Sequence, residues 1–244
     1  HLQEALRVGR AMRVLDLAEK TDAMLSERLG HSLTRRIPII LYGSHNDFSQ
    51  TNVTSDLIDP GTGGFTEVLR NRVVLPFTGS YEDLRHVVVH ELVHAYMFDL
   101  LYGGTAGSMI ARQSFYSAPL WFAEGLAEYI SLGTESNAEM FVRDGTIVGY
   151  MPPLMYSGGY LVYKQGQSAI AFMVERFGED RLRDLLQRIR WSENLHEIED
   201  CVSRLVACRL HKKNVTRNAA ESLGLKSPGT ISTWAKKYGF QIRK

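Results

Sequence analysis

The segment RHVVVHELVHAYMFDLLYG, residues 85–103, constrains the fold of this chain more than any other stretch of its sequence. Most of the segment is apolar, yet His90, Glu91 and His94 lie within five positions of one another in its interior. A buried polar side chain costs free energy unless it finds a partner. We therefore expect a buried helix whose three polar side chains share one partner.

The spacing of these three residues is typical of a metal site on a helix. His90 and His94 are four positions apart and project from one face, where two imidazole nitrogens reach one Zn²⁺. Glu91 then points toward a water on the metal as its general base, in the pattern His-Glu-x-x-His. The alternative is a buried helix with two core histidines that bind other groups of the protein. We favour the metal, because one ion satisfies all three polar groups together.

A second helix offers the third protein ligand that a catalytic zinc needs. The stretch APLWFAEGLAEYISLG, residues 118–133, places Glu124 and Glu128 four positions apart on one face of an apolar helix. In the alternative interpretation both carboxylates face solvent. Gly125 favours the metal site, because a glycine inside a helix often marks a close approach of neighbouring backbone. One glutamate then binds zinc, and the other orients a ligand histidine.

The N-terminal part of the chain predicts one long helix and a small mixed sheet. Residues 2–29 have the apolar spacing of an amphipathic helix, and the apolar run 36–44 is typical of a buried strand. Residues 63–79 predict two more strands. Pro76 predicts that the second of them is an edge strand, because proline donates no hydrogen bond to a neighbouring strand. Such an edge would offer its backbone groups to an extended peptide.

The rest of the sequence predicts mainly helices, which gives an α+β fold with a helical C-terminal part. Residues 81–102 begin with acidic side chains, which suit a helix N-terminus, and end before a Gly-Gly pair. Further helices are predicted over residues 117–132 and 160–178. Residues 133–159, rich in Gly, Pro and Tyr, predict an irregular loop.

The charge of the chain is concentrated at its C-terminal end. The formal net charge is +1, but from Cys201 onward there are ten Lys or Arg residues against one Glu. The total argues against a nucleic-acid-binding protein. We favour a solvated helical extension for the basic tail, with its lysines in water, and binding to a polyanion or a membrane surface is the alternative. No stretch reaches the roughly eighteen uninterrupted apolar residues of a transmembrane helix.

The segment from His90 to His94, followed by WFAEGLAEY, resembles the gluzincins, the thermolysin-like and aminopeptidase N-like zinc metallopeptidases. It is most similar to their small peptidase MA-like bacterial branch. The resemblance covers about residues 36–180 and implies a thermolysin-like zincin fold with one Zn²⁺ per chain. It also implies that Glu124 is the third zinc ligand and that Glu128 is the acidic residue supporting the ligands.

The same resemblance implies hydrolysis of peptide bonds by a metal-activated water, with Glu91 as general base. The stretch YKQG is similar to a Tyr-x-x-Gly stretch of the family whose tyrosine stabilises the oxyanion. In this chain that residue is Tyr163, with Tyr156 and Tyr160 as nearby alternatives.

The chain departs from the aminopeptidases of the family in one strand. Those enzymes carry Gly-x-Met-Glu-Asn, which holds the free amine of the substrate, whereas this chain has GGFTEVLRN. An endopeptidase is therefore the better prediction. Glu67 is the candidate amine-binding residue in that stretch, but a solvated strand glutamate is the interpretation we favour.

Together these features predict a zincin-type metallopeptidase domain over residues 1–195 and a basic helical extension over 196–244. The expected partner is a peptide or protein substrate. The missing initiator Met and the habits of the family favour an extracytoplasmic bacterial protein. The alternative is a catalytically inactive docking or scaffold module that uses its basic C-terminal tail.

Overall fold

The protein is α+β, with seven α-helices and one three-stranded mixed sheet in the part of the chain that the structure describes. The computed structural model describes residues 2–54, 57–68, 70–103 and 118–191. These residues form two compact units. Unit 1 contains those up to 103 together with Ile130–Leu132, and unit 2 contains those of 118–129 and 133–191.

Unit 1 combines a small sheet with two long helices. Its elements are α1 (Leu2–Leu29), β1 (Ile39–Tyr42), α2 (His45–Ser49), β2 (Phe65–Glu67), β3 (Arg72–Pro76) and α3 (Tyr81–Tyr102). Helix α3 contacts α1, β2 and β3, and from Val88 onward all of its residues except Phe98 are buried. The predicted N-terminal helix, the two predicted strands around Asn71 and the predicted helix over 81–102 are thus confirmed.

The sheet has the order β1-β3-β2, so the prediction that Pro76 marks an edge strand is wrong. Strand β3 is central, parallel to β1 and antiparallel to β2. Pro76 is tolerated because β2 pairs only as far as Val74, and on the other side the N–H of Phe77 donates to the carbonyl of Tyr42 at 2.9 Å. Strand β1, predicted to be buried, is a half-buried edge strand.

Polar contacts at both ends of α3 fix this helix in unit 1. Ser80 caps its N-terminus by accepting a hydrogen bond from the N–H of Asp83, and Gly103 ends it in the left-handed region at φ 69°. Near its C-terminal end, the fully buried Asp99 accepts hydrogen bonds from the N–H and the hydroxyl of Thr34 and lies 2.8 Å from His31 Nε2. These contacts hold the helix that carries the His-Glu-x-x-His pattern.

Unit 2 is helical. Its elements are α4 (Leu120–Leu132, whose last turn belongs to unit 1), α5 (Ser136–Val148), a 3₁₀ turn (Leu154–Tyr156), α6 (Tyr160–Phe177) and α7 (Glu179–Trp191). Most of α6 is buried, including several polar side chains. The helices predicted over 117–132 and 160–178 are confirmed.

The prediction of an irregular loop over residues 133–159 is wrong for its first half, because helix α5 lies there. Ala138 and Val142, one turn apart, are buried on one face of α5. The side chain of Met151 packs against Gly145 of this helix. A methyl group at this glycine would approach the sulfur of Met151 to 2.5 Å, so an alanine there would require the Met151 side chain to move.

The predicted basic extension, residues 196–244, and its boundary lie outside the described residues. Among the helices that the structure describes, none combines the length and the apolar character needed to cross a membrane.

Candidate metal centre

Helix α3 brings the two histidines of the His-Glu-x-x-His pattern together. The Nε2 atoms of His90 and His94 lie 3.2 Å apart, and the side chains are only 7% and 9% exposed. Two nitrogen ligands about 2.0–2.1 Å from a tetrahedral zinc lie roughly 3.3–3.4 Å apart. The observed separation therefore fits a pair of imidazoles that bind one metal ion.

Glu91, between the two histidines in sequence, is buried and held by a residue of the sheet. The hydroxyl of Thr66 in β2 lies 2.8 Å from Glu91 Oε2 and 2.9 Å from the Glu91 carbonyl oxygen, and these two acceptors share its single proton. A hydrogen bond to a carboxylate is stronger than one between neutral groups. Thr66 was not predicted to belong to the site. Its only mark in the sequence is its position directly before Glu67 in a short predicted strand.

Helix α4 is continuous from Leu120 to Leu132, and its last turn lies in unit 1. In that turn, Ser131 Oγ lies 3.1 Å from His86 Nδ1 of α3. Glu128 and Glu124 precede Ser131 by about one and two turns on the same face of the helix. The contact of Ser131 with His86 lies within unit 1.

Among the residues that the structure describes, two groups of three side chains are positioned to hold a metal ion, and in each group the ligand atoms lie within 4.8 Å of one another. The first is the predicted set His90, His94 and Glu124, and the second is His86, His90 and Glu128. His86 was not among the predicted ligands, although its position four residues before His90 places it on the same helical face. Nitrogen and carboxylate ligands of this kind suit zinc and related divalent transition metals.

The close backbone approach predicted at Gly125 is present, but its partner is α6 rather than the helix with the histidines. A Cβ at position 125 would lie 2.3 Å from the carbonyl carbon of Gly166. Gly166 is the glycine of the YKQG stretch, so the glycines of the Glu-Gly pair and of the Tyr-x-x-Gly stretch contact each other. This contact fixes the spacing between α4 and α6 within unit 2.

Lys164 of α6 is a buried cation beside the second acidic residue of α4. It is 7% exposed, and its Nζ donates to Glu128 Oε2 at 2.8 Å and to Glu135 Oε2 at 3.1 Å. Burial alone lowers the pKa of Lys164, but the hydrogen bonds and charges of Glu128 and Glu135 outweigh it, so the pKa is raised. Lys164 was not singled out in the sequence. The role of Glu128 in supporting a ligand histidine stays a prediction.

The three candidate tyrosines differ in their surroundings. Tyr163 lies in the first turn of α6, is partly buried and immediately precedes Lys164. Tyr156 and Tyr160 are exposed, and Tyr160 packs edge to face against Phe141 at 5.4 Å between ring centroids. The role of Tyr163 in oxyanion stabilisation stays a prediction.

Glu67 is not the solvated strand glutamate that we expected. Its carboxylate accepts a hydrogen bond from Arg72 Nε at 2.9 Å across the β2–β3 pair, and both side chains are largely buried. The two residues are register partners in this antiparallel pair, which explains why the arginine reaches the glutamate.

A separate cavity of about 960 Å³ lies in unit 1, between α1 and the segment that leads into β1. Leu92 of α3 contributes to its lining, whereas none of the predicted ligands does. The histidine and glutamate groups are therefore a stronger candidate for chemistry than this cavity.

Comparison of the chain with family models, with curated proteins and with solved structures gives no match. The function of the chain is therefore inferred from its own residues and their geometry.

Proposed function

We propose that the protein is a zinc-dependent metallopeptidase of the gluzincin type that hydrolyses peptide bonds. The observation that carries the proposal is the group of His90, His94 and Glu124, with the buried carboxylate of Glu91 between the histidines in sequence. Two histidines and one glutamate are a ligand set of catalytic zinc sites, in which the fourth position stays open for water or substrate. The α+β fold agrees with the proposal. We propose that this fold is of the thermolysin-like zincin type.

When bound, Zn²⁺ supplies a Lewis acid that polarises a carbonyl group and lowers the pKa of water. In the proposal Glu91 is the general base, whose carboxylate takes a proton from the attacking water and later delivers it to the leaving amine. Thr66 supports this role, because its hydroxyl holds one carboxylate oxygen at 2.8 Å. Burial of the carboxylate limits competition from bulk water.

Tyr163 is the proposed donor to the negative charge that develops on the carbonyl oxygen of the scissile bond. It lies on α6, whose Gly166 is in close contact with Gly125 of α4. That contact sets α6 beside the helix that carries Glu124.

An endopeptidase is the form of the activity that we favour. Glu67, the candidate for binding a free amine, pairs with Arg72 instead. A carboxylate that is already neutralised by a guanidinium is a poor site for a second cation.

A zinc titration of metal-stripped protein by calorimetry tests the metal centre. We expect one tight site per chain, and we expect Glu124→Ala to weaken it strongly because a direct ligand is lost. Glu82→Ala, at an exposed position in the first turn of α3, is the matched control and should bind zinc like the wild type. If the wild type binds no zinc, or if Glu124→Ala binds it equally well, the proposal is wrong. A catalytically inactive docking module then becomes the better interpretation.

Glu91→Gln tests the chemistry separately from the metal. The amide keeps the size of the side chain but cannot take a proton, so zinc binding should persist while peptide cleavage falls by about 10²- to 10⁴-fold. Cleavage of a peptide library by the zinc-loaded wild type and variant measures this difference. Undiminished cleavage by Glu91→Gln would remove Glu91 from the mechanism.

A further inference from the structure

The two groups of possible metal ligands overlap in one residue. His90 belongs both to the group with His94 and Glu124 and to the group with His86 and Glu128. A metal ion in either group uses His90. A neutral imidazole carries a proton on one of its two nitrogens, so it has only one lone pair to give to a metal. The two groups therefore compete for His90, and the protein needs a feature that selects one of them.

The second group is built on a continuous piece of helix and not on a chance contact of surface side chains. His86 lies 3.1 Å from Ser131, which shares a face of α4 with Glu128. His90 and Glu128 are buried, and His86 is half-buried. Two imidazoles and a carboxylate there have the same chemistry as the first group.

The two groups differ in the electrostatic surroundings of Glu128. The ammonium of Lys164 lies 2.8 Å from Glu128 Oε2 and is itself buried, so water screens its charge little. Glu135 also accepts from Lys164, which holds the ammonium in place from a second side. A cation that approaches Glu128 meets a carboxylate already paired and a positive charge beside it.

We propose that Lys164 directs the metal ion to His90, His94 and Glu124 by keeping Glu128 paired, and that His86, His90 and Glu128 form an alternative site for a divalent transition metal that Lys164 keeps closed. This inference rests on the proposed function in one respect, which is that Glu124 is taken as the third ligand of the zinc ion. Lys164 acts through Glu128 and is a positioning residue.

The alternative site has a consequence for activity. A metal ion held by His86, His90 and Glu128 takes His90 away from the group beside Glu91, so it acts as an inhibitor. Removal of the Lys164 charge should therefore make the enzyme sensitive to excess zinc.

The test uses His86→Ala as a reporter of which group holds the metal. In the wild-type background this substitution should change zinc affinity by less than about threefold, below the roughly 10- to 100-fold loss typical even of residues that support metal ligands. In the Lys164→Met background, where Glu128 has lost its cation, His86→Ala should lower zinc affinity by at least about tenfold. Competition with a chromophoric chelator measures each affinity.

The matched control is Lys164→Arg, which keeps the positive charge beside Glu128. It should behave like the wild type, with zinc affinity insensitive to His86→Ala. A Co²⁺-loaded sample provides a second readout, because the visible absorption of Co²⁺ depends on its ligands. The spectrum should change in Lys164→Met and stay unchanged in Lys164→Arg.

Two results would overturn the inference. One is a folded Lys164→Met variant whose zinc affinity remains insensitive to His86→Ala. The other is a loss of zinc affinity in the single variant His86→Ala that is as large as the loss in His94→Ala. This second test needs no Lys164 variant, so it applies even if Lys164→Met fails to fold. Either result leaves the proposed function standing if Glu124→Ala still weakens zinc binding, whereas a wild type that binds no zinc overturns both proposals.

Discussion

At the scale of single residues, Thr66 determines how the Glu91 carboxylate is held. Its hydroxyl bridges Oε2 and the main-chain carbonyl of Glu91, so it ties the orientation of the carboxylate to the helix backbone. A general base needs a fixed orientation toward the proton it accepts. Thr66 is therefore expected to contribute to turnover without touching the metal.

Replacing this hydroxyl should affect kcat more than any other parameter. A hydrogen bond to a charged group contributes about 1.5–3 kcal/mol, so Thr66→Val should lower kcat by roughly 10- to 100-fold. Thr66→Ser keeps the hydroxyl and should restore kcat to near the wild-type value. Steady-state kinetics with a peptide substrate, together with a zinc titration of each variant, measure these effects.

A structural defect alone would predict a different pattern for Thr66→Val, with weaker zinc binding and a raised KM. Equal kcat values for Thr66→Val and the wild type would show that Glu91 needs no support from this residue.

The sequence predicted the residues of the site that lie on one helix better than those that come from distant segments. His90 and His94 follow from helical spacing, because positions one turn apart share a face. Glu91 follows from its place in the His-Glu-x-x-His pattern. Thr66 and Lys164 meet their carboxylates only through tertiary packing, 25 and 36 positions away in sequence. No local pattern marks such partners.

At the scale of elements, the contact of α4 with α6 depends on two glycines that face each other. A methyl group at position 125 would lie 2.3 Å from the carbonyl carbon of Gly166, and one at position 166 would lie 2.2 Å from the Trp121 carbonyl oxygen. No side chain can adjust to relieve these contacts, because the atoms approached belong to the backbone. The helices would have to move apart.

Gly125→Ala should therefore lower the free energy of unfolding by about 1–3 kcal/mol or more, as overpacking does in protein cores. Gly9→Ala is a suitable control, because this exposed glycine of α1 has open space around it. There the substitution should raise the free energy of unfolding by about 0.5–1 kcal/mol, since alanine favours helix. Urea denaturation followed by circular dichroism measures both. A stability of Gly125→Ala equal to that of the wild type would contradict the packing described above.

The boundaries of the strongly patterned elements were predictable, and those that depend on neighbours were not. Helices α1 and α3 come from long sequence segments with clear helix start or stop signals. Their observed bounds match the predicted ones. The place of β3 in the sheet was mistaken, because Pro76 is incompatible with a central strand only where both sides pair. Helix α5 was missed, because the Gly, Pro and Tyr residues of 133–159 favoured a loop, whereas the burial of Ala138 and Val142 that stabilises the helix comes from tertiary packing.

At the scale of the whole molecule, the proposed metal ligands join segments that are far apart in sequence. His94 and Glu124 are separated by thirty positions and lie on different helices, α3 and α4. An unfolded chain does not hold such ligands together, so zinc should bind the folded state far more tightly. Binding to the folded state alone stabilises a protein by mass action.

Zinc should accordingly raise the melting temperature of the protein. At a free zinc concentration 100 times the Kd, the stabilisation is about 2.7 kcal/mol, which corresponds to roughly 5–10 °C for a chain of this size. Removal of the metal with a chelator should reverse the rise, and Glu124→Ala should largely abolish it, whereas Glu82→Ala should keep it. Differential scanning calorimetry at several zinc concentrations measures the effect. A melting temperature independent of zinc in the wild type would mean that these distant ligands do not meet on a metal ion, however closely their atoms approach.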